Sequence, residues 1–120
     1  MKKTAILLFC LAGFKMCSQT SSELIGKWIL IKWTERGRQK DIHDYYKTNQ
    51  VFQVFKENGL FQFIVGDKKY KGRWEISRNN DKLIIVSGVF TTVYSIALFD
   101  SERRIETSDG LGTFEYEKVR

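Results

Sequence analysis

Past Ser22 the chain falls into short apolar or alternating segments, each ended by a turn signal, and this rhythm constrains the fold more than any other feature. Eight such segments are present, at residues 24–35, 50–56, 60–65, 70–77, 82–88, 90–99, 104–108 and 113–119. They are rich in Val, Ile, Thr and aromatic residues, which pack well on a pleated, half-buried surface. Between them stand "ENG", "GDKK", "RNND", "DSER" and "DGLG". Asn58-Gly59 suits the positive φ of a tight hairpin. One connection is longer, the polar stretch 36–48, "RGRQKDIHDYYKT", which has room for a helical turn. Strands joined by turns this short form an antiparallel meander. An open meander leaves two unpaired edges, and closure removes them. The expected fold is therefore all-β, a small eight-stranded antiparallel up-and-down barrel. Its interior would be nearly filled, or just wide enough for one small ligand.

Alternation assigns the inward residues, because successive side chains on a strand point to opposite faces. Tyr70, Gly72, Trp74 and Ile76 share a face, as do Phe61 and Phe63, Leu83 and Ile85, and Phe114 and Tyr116. Tyr94, Ile96 and Leu98 form another such set, and Gln53 falls in step with Phe55. Burying each large side chain contributes about 1.5–3 kcal/mol, so about a dozen of them hold a domain of this size without disulfides. The first segment, "LIGKWILIKWTE", is apolar on both faces. Strict parity puts Trp28, Leu30 and Lys32 on one face and Ile29, Ile31 and Trp33 on the other. The second set is then an outer face, covered by residues 36–49 or by the N-terminal linker, or else an attachment surface.

The beginning of the chain follows different rules. "MKK" is a short basic start and "TAILLFCLAGF" an apolar run of eleven, the order of a secretory signal. The run is short for a permanent membrane span. Residues 1–18 are read as the signal peptide, 19–22 as a short linker and 23–120 as the barrel domain. Processing has two readings. One is cleavage after Ser18. The other is lipidation at Cys17, for which Phe14, Lys15 and Met16 are a poor lipobox but the serine-rich "SQTSS" a fitting tether. Either way the expected location is the periplasm or the exterior, with membrane contact only through an anchor at Cys17.

Removing the signal also removes Lys2, Lys3 and Lys15. The 17 basic residues that remain face 14 acidic ones, and the formal net charge falls from +6 to +3. A charge so mixed does not make the clustered basic face that nucleic acid requires. Cys10 and Cys17 lie in or beside the signal, so the domain has no cysteine for a disulfide or a zinc site.

Several short motifs, in order, resemble the short bacterial secreted lipocalin-like domains. They are Gly26-Lys27-Trp28 as a G-x-W start, an F-x-x-[DN]-G-x-F hairpin from Phe55 to Phe61, and a second G-x-W at Gly72-Arg73-Trp74. Asp81-Lys82-Leu83 and Tyr94-Ser95-Ile96 complete the set, which spans about residues 23–119. The resemblance implies a barrel in which Trp28 plugs the closed end. It also implies an arginine packed on that indole from the last strand region, with Arg104 and Arg120 as the two candidates. The T-D-Y motif of larger lipocalins has only Thr92-Val93-Tyr94 as a counterpart. The domain is much shorter than a transport lipocalin, and a deep cavity does not follow from the resemblance.

Chemistry-bearing residues are sparse. His43 is the one histidine, near Asp41 and Asp44 in the long loop. A metal site needs three or four converging ligands, and solvated loop residues are the better reading. With no nucleophile elbow and no catalytic cysteine, triad chemistry is not expected, nor is any cofactor. Glu115 and Glu117 alternate with Phe114 and Tyr116 and face outward, so they are not placed as a catalytic carboxylate pair. The expected function is non-catalytic binding of a small apolar or amphipathic molecule in the barrel or at its mouth. Trp28, Phe55, Phe61, Phe63, Trp74 and Tyr94 would line or plug the interior, with Gln53 among them. Lys32, Tyr45 and Tyr46 are polar rim candidates: Lys32 faces inward to neutralise a ligand carboxylate, snorkels to solvent at the rim, or is turned out by a bulge in the first strand, and the tyrosines lie on a lid or pack against Ile31 or Trp33. The alternative is a cell-envelope protein-interaction module with a filled interior and Ile29, Ile31 and Trp33 as its contact.

Overall fold

A computed structural model describes residues 22–120; the expected signal at 1–18, Cys17 and most of the linker lie outside the described residues. The strands are β1 (Gly26–Glu35), β2 (Arg38–Lys40), β3 (Val51–Phe55), β4 (Leu60–Val65), β5 (Lys68–Ile76), β6 (Lys82–Ser87), β7 (Phe90–Phe99), β8 (Arg103–Ser108) and β9 (Gly112–Lys118). A short helix, α1 (Ile42–Tyr46), lies between β2 and β3. All eight expected segments form strands. They pair in the order β1-β3-β4-β5-β6-β7-β8-β9, and β9 pairs back onto β1, so the meander closes into a barrel. The additional strand, β2, pairs with Trp33–Glu35 at the end of β1, beyond the stretch of β1 that pairs with β3, and is reached through Arg36 and Gly37, both at positive φ.

The polar stretch is ordered locally. Asp41 caps α1 by accepting from the Asp44 N–H at 3.0 Å, and Lys47, in the left-handed region, donates its N–H to the His43 carbonyl at 2.7 Å. Among the described residues no three His, Cys, Asp or Glu side chains gather as a metal site.

Two bulges alter the expected facing. Along the β1–β9 pairing Leu30 opposes Tyr116, and the next partner of β9 is Lys32 opposite Glu115. Ile31 is therefore an extra residue in β1, and the parity of the strand reverses beyond it. Lys32 turns out to solvent and Trp33 turns in, buried to 7% exposure. This corrects both assignments: Lys32 is not an inward residue, and Trp33 does not belong to an outer patch with Ile29 and Ile31. The second bulge lies in β7, where Ile96 opposes Glu106 and Leu98 opposes Ile105. Ala97 is the extra residue. Leu98, expected inside, is exposed, and Phe99 turns in to meet Trp28 at 6.2 Å between ring centroids.

Two glycines make the seam possible. Gly26 opens β1 at φ +133°, a conformation L side chains rarely adopt. Gly112 opens β9 at φ +111°, and a Cβ there would collide with the Thr34 carbonyl. Across the barrel, β5 is longer than its neighbour: its pairing with β6 runs from Arg73 to Ile76, so the upper turn of β5 stands above the β6–β7 hairpin.

Candidate functional site

The interior divides into two halves. At the closed end Trp28, Leu24, Phe55 and Leu83 are fully buried. The Trp28 Nε1–H donates to the Leu24 carbonyl at 2.8 Å, which fastens the entering chain under the barrel. Arg104 is fully buried among rings. Its guanidinium carbon lies 4.9 Å from the centroid of Trp28, 4.8 Å from that of Phe55 and 4.3 Å from that of Tyr116. Of the two arginine candidates, Arg104 packs on the indole, while Arg120 pairs with Glu102 on the exposed surface.

Arg104 and Glu106 are two residues apart on β8 and therefore face the same way. The Arg104 Nε donates to Glu106 Oε1 at 2.8 Å, and Nη2 donates to the Gln53 side-chain oxygen. Both charges are wholly shielded from water. Burial pushes the Glu106 carboxyl above the ordinary carboxylate range, and the Arg104 charge and hydrogen bond pull against that rise. Among the described residues, Arg104 Nη1 and Glu106 Oε2 are buried without hydrogen-bond partners.

Above this layer the barrel opens into a cavity of about 590 Å³. Its wall is mainly aromatic. Trp33 stacks on Phe114 at 5.6 Å, and Tyr45 from α1 stands edge-on to Trp33 at 4.8 Å. Tyr46 meets Phe63 at 6.1 Å, and Tyr94 meets Phe114 at 6.0 Å. Gln53, held by Arg104, reaches this wall from below.

The tyrosines supply the polarity. Burial raises the pKa of Tyr46, Tyr94 and Tyr116, and the negative charge of Glu106 raises the last two further. All three hydroxyls stay protonated at neutral pH and are available as donors. Among the described residues of the wall, Lys68 is the one charged side chain, and the wall has no histidine, cysteine or carboxylate. Such a surface can enclose an apolar body and offer hydrogen bonds at chosen points.

Six of the expected residues meet here: Tyr45, Tyr46, Gln53, Phe61, Phe63 and Tyr94. Four do not. Trp28 is inward and buried, the plug expected of it, but it lies beneath the cavity under Arg104. Phe55 lies in the same lower layer, against Phe61 at 5.1 Å. Trp74 packs edge-on against Phe55 and donates its N–H to the Lys56 carbonyl at 2.9 Å, so it sits at the β3–β4 hairpin rather than at the mouth. Lys32 is outside because of the Ile31 bulge.

The sequence reading left Trp33, Lys68, Tyr70, Ile85, Phe114 and Tyr116 out of the site, and all six line the cavity. For Tyr70, Ile85, Phe114 and Tyr116 the signal was present, since alternation placed each on an inward face. Height along the strand was the missing quantity. The chain matches no protein-family model, and no curated protein matches it.

Proposed function

We propose that this chain is an exported, non-catalytic, lipocalin-like domain that binds a small apolar or amphipathic molecule in the open half of its barrel. The observation that carries this reading is the cavity of about 590 Å³, walled by aromatic rings that include Tyr45 and Tyr46 of α1. A volume of this order is typical of small-molecule sites. Nothing packed in the lower half of the barrel competes for the space. Trp28, Phe55 and Arg104 fill their own layer. The burial of Arg104 on the Trp28 ring supports kinship with lipocalin-like domains, since that contact is what the resemblance implies.

Native mass spectrometry of the protein recovered from its own cells tests this reading. A co-purified small molecule is the expected result, and Thr92→Phe, which fills the cavity from β7, should abolish it while the fold is retained. A partner subunit in place of a small molecule would favour the interaction module instead, and bare monomer from several growth conditions would count against the carrier reading.

A further inference from the structure

The β6–β7 hairpin presents its apolar side chains to water. Val89 is 91% exposed and Phe90 75%, and Val86 and Val93 are exposed on the strands below them. This tip stands beside the cavity mouth, because Ser87, immediately before the turn, lines the cavity. Next to it runs the upper part of β5, "KKYKGR", with four cations in six residues. Lys69, Lys71 and Arg73 alternate with the inward Tyr70 and Gly72 and are exposed. Arg73 pairs directly with Val86 on the outer face, and the Ser87 hydroxyl donates to the Lys71 carbonyl at 3.1 Å, so the cations flank the tip, while Phe90, paired with Ser87 and in step with Thr92 and Tyr94, stands on the cavity side of the same rim. The nearest carboxylates along β5 are Asp67 and Glu75, at its two ends.

We propose that this patch docks the mouth of the barrel onto an anionic lipid surface. Two side chains held out on a rigid tight turn can enter the headgroup region without unfolding anything, and exposed apolar surface of this kind marks an interaction site. The flanking lysines and arginine supply the charge complementarity, attracting anionic headgroups over about a Debye length. Val89 and Phe90 distinguish a bilayer from a soluble polyanion, which would have no use for them. The orientation matters as well: with the tip inserted, the cavity mouth faces the membrane, where apolar molecules are dissolved. This contact is additional to any acyl anchor at Cys17 and does not depend on what the cavity holds.

Vesicle co-sedimentation of the chain beginning at Gln19, which carries neither the apolar signal nor an acylated Cys17, tests the proposal. Vesicles of phosphatidylcholine with about one-third phosphatidylglycerol should bind it, and pure phosphatidylcholine should bind it at least about tenfold more weakly. Val89→Ser with Phe90→Ser should reduce binding to the anionic vesicles about tenfold. Lys69→Gln with Lys71→Gln should do so comparably and weaken the salt dependence, Lys68 and Arg73 remaining. Circular dichroism and binding of a naphthalene-sulfonate dye to the cavity should be unchanged in both variants, which separates this proposal from the cavity reading. Absence of vesicle binding would overturn it. So would binding indifferent to Val89 and Phe90, or heparin binding through the lysines without vesicle binding.

Discussion

The two ends of this barrel are built from the same alternating strands and come to opposite outcomes. At the closed end the inward positions carry Trp28, Phe55 and Leu83, and the buried pair Arg104–Glu106 is locked among them. At the open end the inward positions carry Trp33, Phe63, Tyr94 and Phe114, whose rings press on one another around a space instead of filling it. The closed end spends its polar groups on each other. The open end keeps its phenolic hydroxyls on the cavity wall. Rings alone therefore do not decide whether a small barrel is solid; what matters is whether a side chain reaches across the axis. Arg104 does so below, with a flat guanidinium that stacks on three rings, and above it the described residues leave the cavity open.

The sharpest way to break this contrast is to uncouple the buried charges. Arg104→Met leaves Glu106 without a counter-charge in the core and should lower stability by about 3–5 kcal/mol in urea denaturation. Arg104→Met with Glu106→Leu should recover most of that loss, because two apolar side chains leave no charge to compensate. If the double variant is as unstable as the single one, the pair is holding the plug in place rather than merely filling it.

The open end should respond differently. Phe63→Ala removes a ring from the cavity wall that is only partly buried, so dye or ligand affinity should fall about tenfold, while stability falls by less than the about 3–5 kcal/mol typical of a fully buried ring. Comparable loss at both ends would mean that the cavity wall is structural core.

A pH titration separates the halves without enlarging any cavity. The raised carboxyl of Glu106 means that the folded state holds its proton more tightly than the unfolded chain does. That contribution to stability is complete below the ordinary carboxylate range and is lost as pH rises through the elevated folded value. Measured against Glu106→Gln, which cannot titrate, the wild type should therefore gain relative stability as pH falls through that window. A flat difference would mean that Arg104 keeps the carboxyl fully ionised. The smallest effect is expected on α1: Tyr45→Ala should change stability by no more than about 0.5 kcal/mol while weakening dye or ligand affinity, since this side chain is 61% exposed.

Most of the barrel was legible because turn residues and alternation both report local geometry. Every expected segment became a strand, and Phe61, Phe63, Tyr94, Phe114 and Tyr116 face inward as their spacing requires. The bulges were not legible in that way, since Ile31 and Ala97 are ordinary strand residues and the insertion is defined only by the partner strand. A hint existed in β1: an indole at Trp33, in an apparently outward position, is easier to satisfy if the parity changes before it. In "RIETS" the apolar Ile105 suggests the inward phase, but Arg104 and Glu106 take it. Pattern reading assumes that charges seek water, and a mutually compensated pair stacked among rings is the case in which that assumption fails. The resemblance to lipocalin-like domains pointed to Arg104 as one of two candidates; nothing in its own strand did.

The three indoles occupy three different surroundings: Trp28 sealed beneath Arg104, Trp74 at the β3–β4 hairpin, and Trp33 on the cavity wall. The molecule thus carries its own optical gauge. With Trp28 and Trp74 each replaced by phenylalanine, all remaining tryptophan emission comes from the ring that an occupant would touch, and filling the barrel becomes visible without any added label.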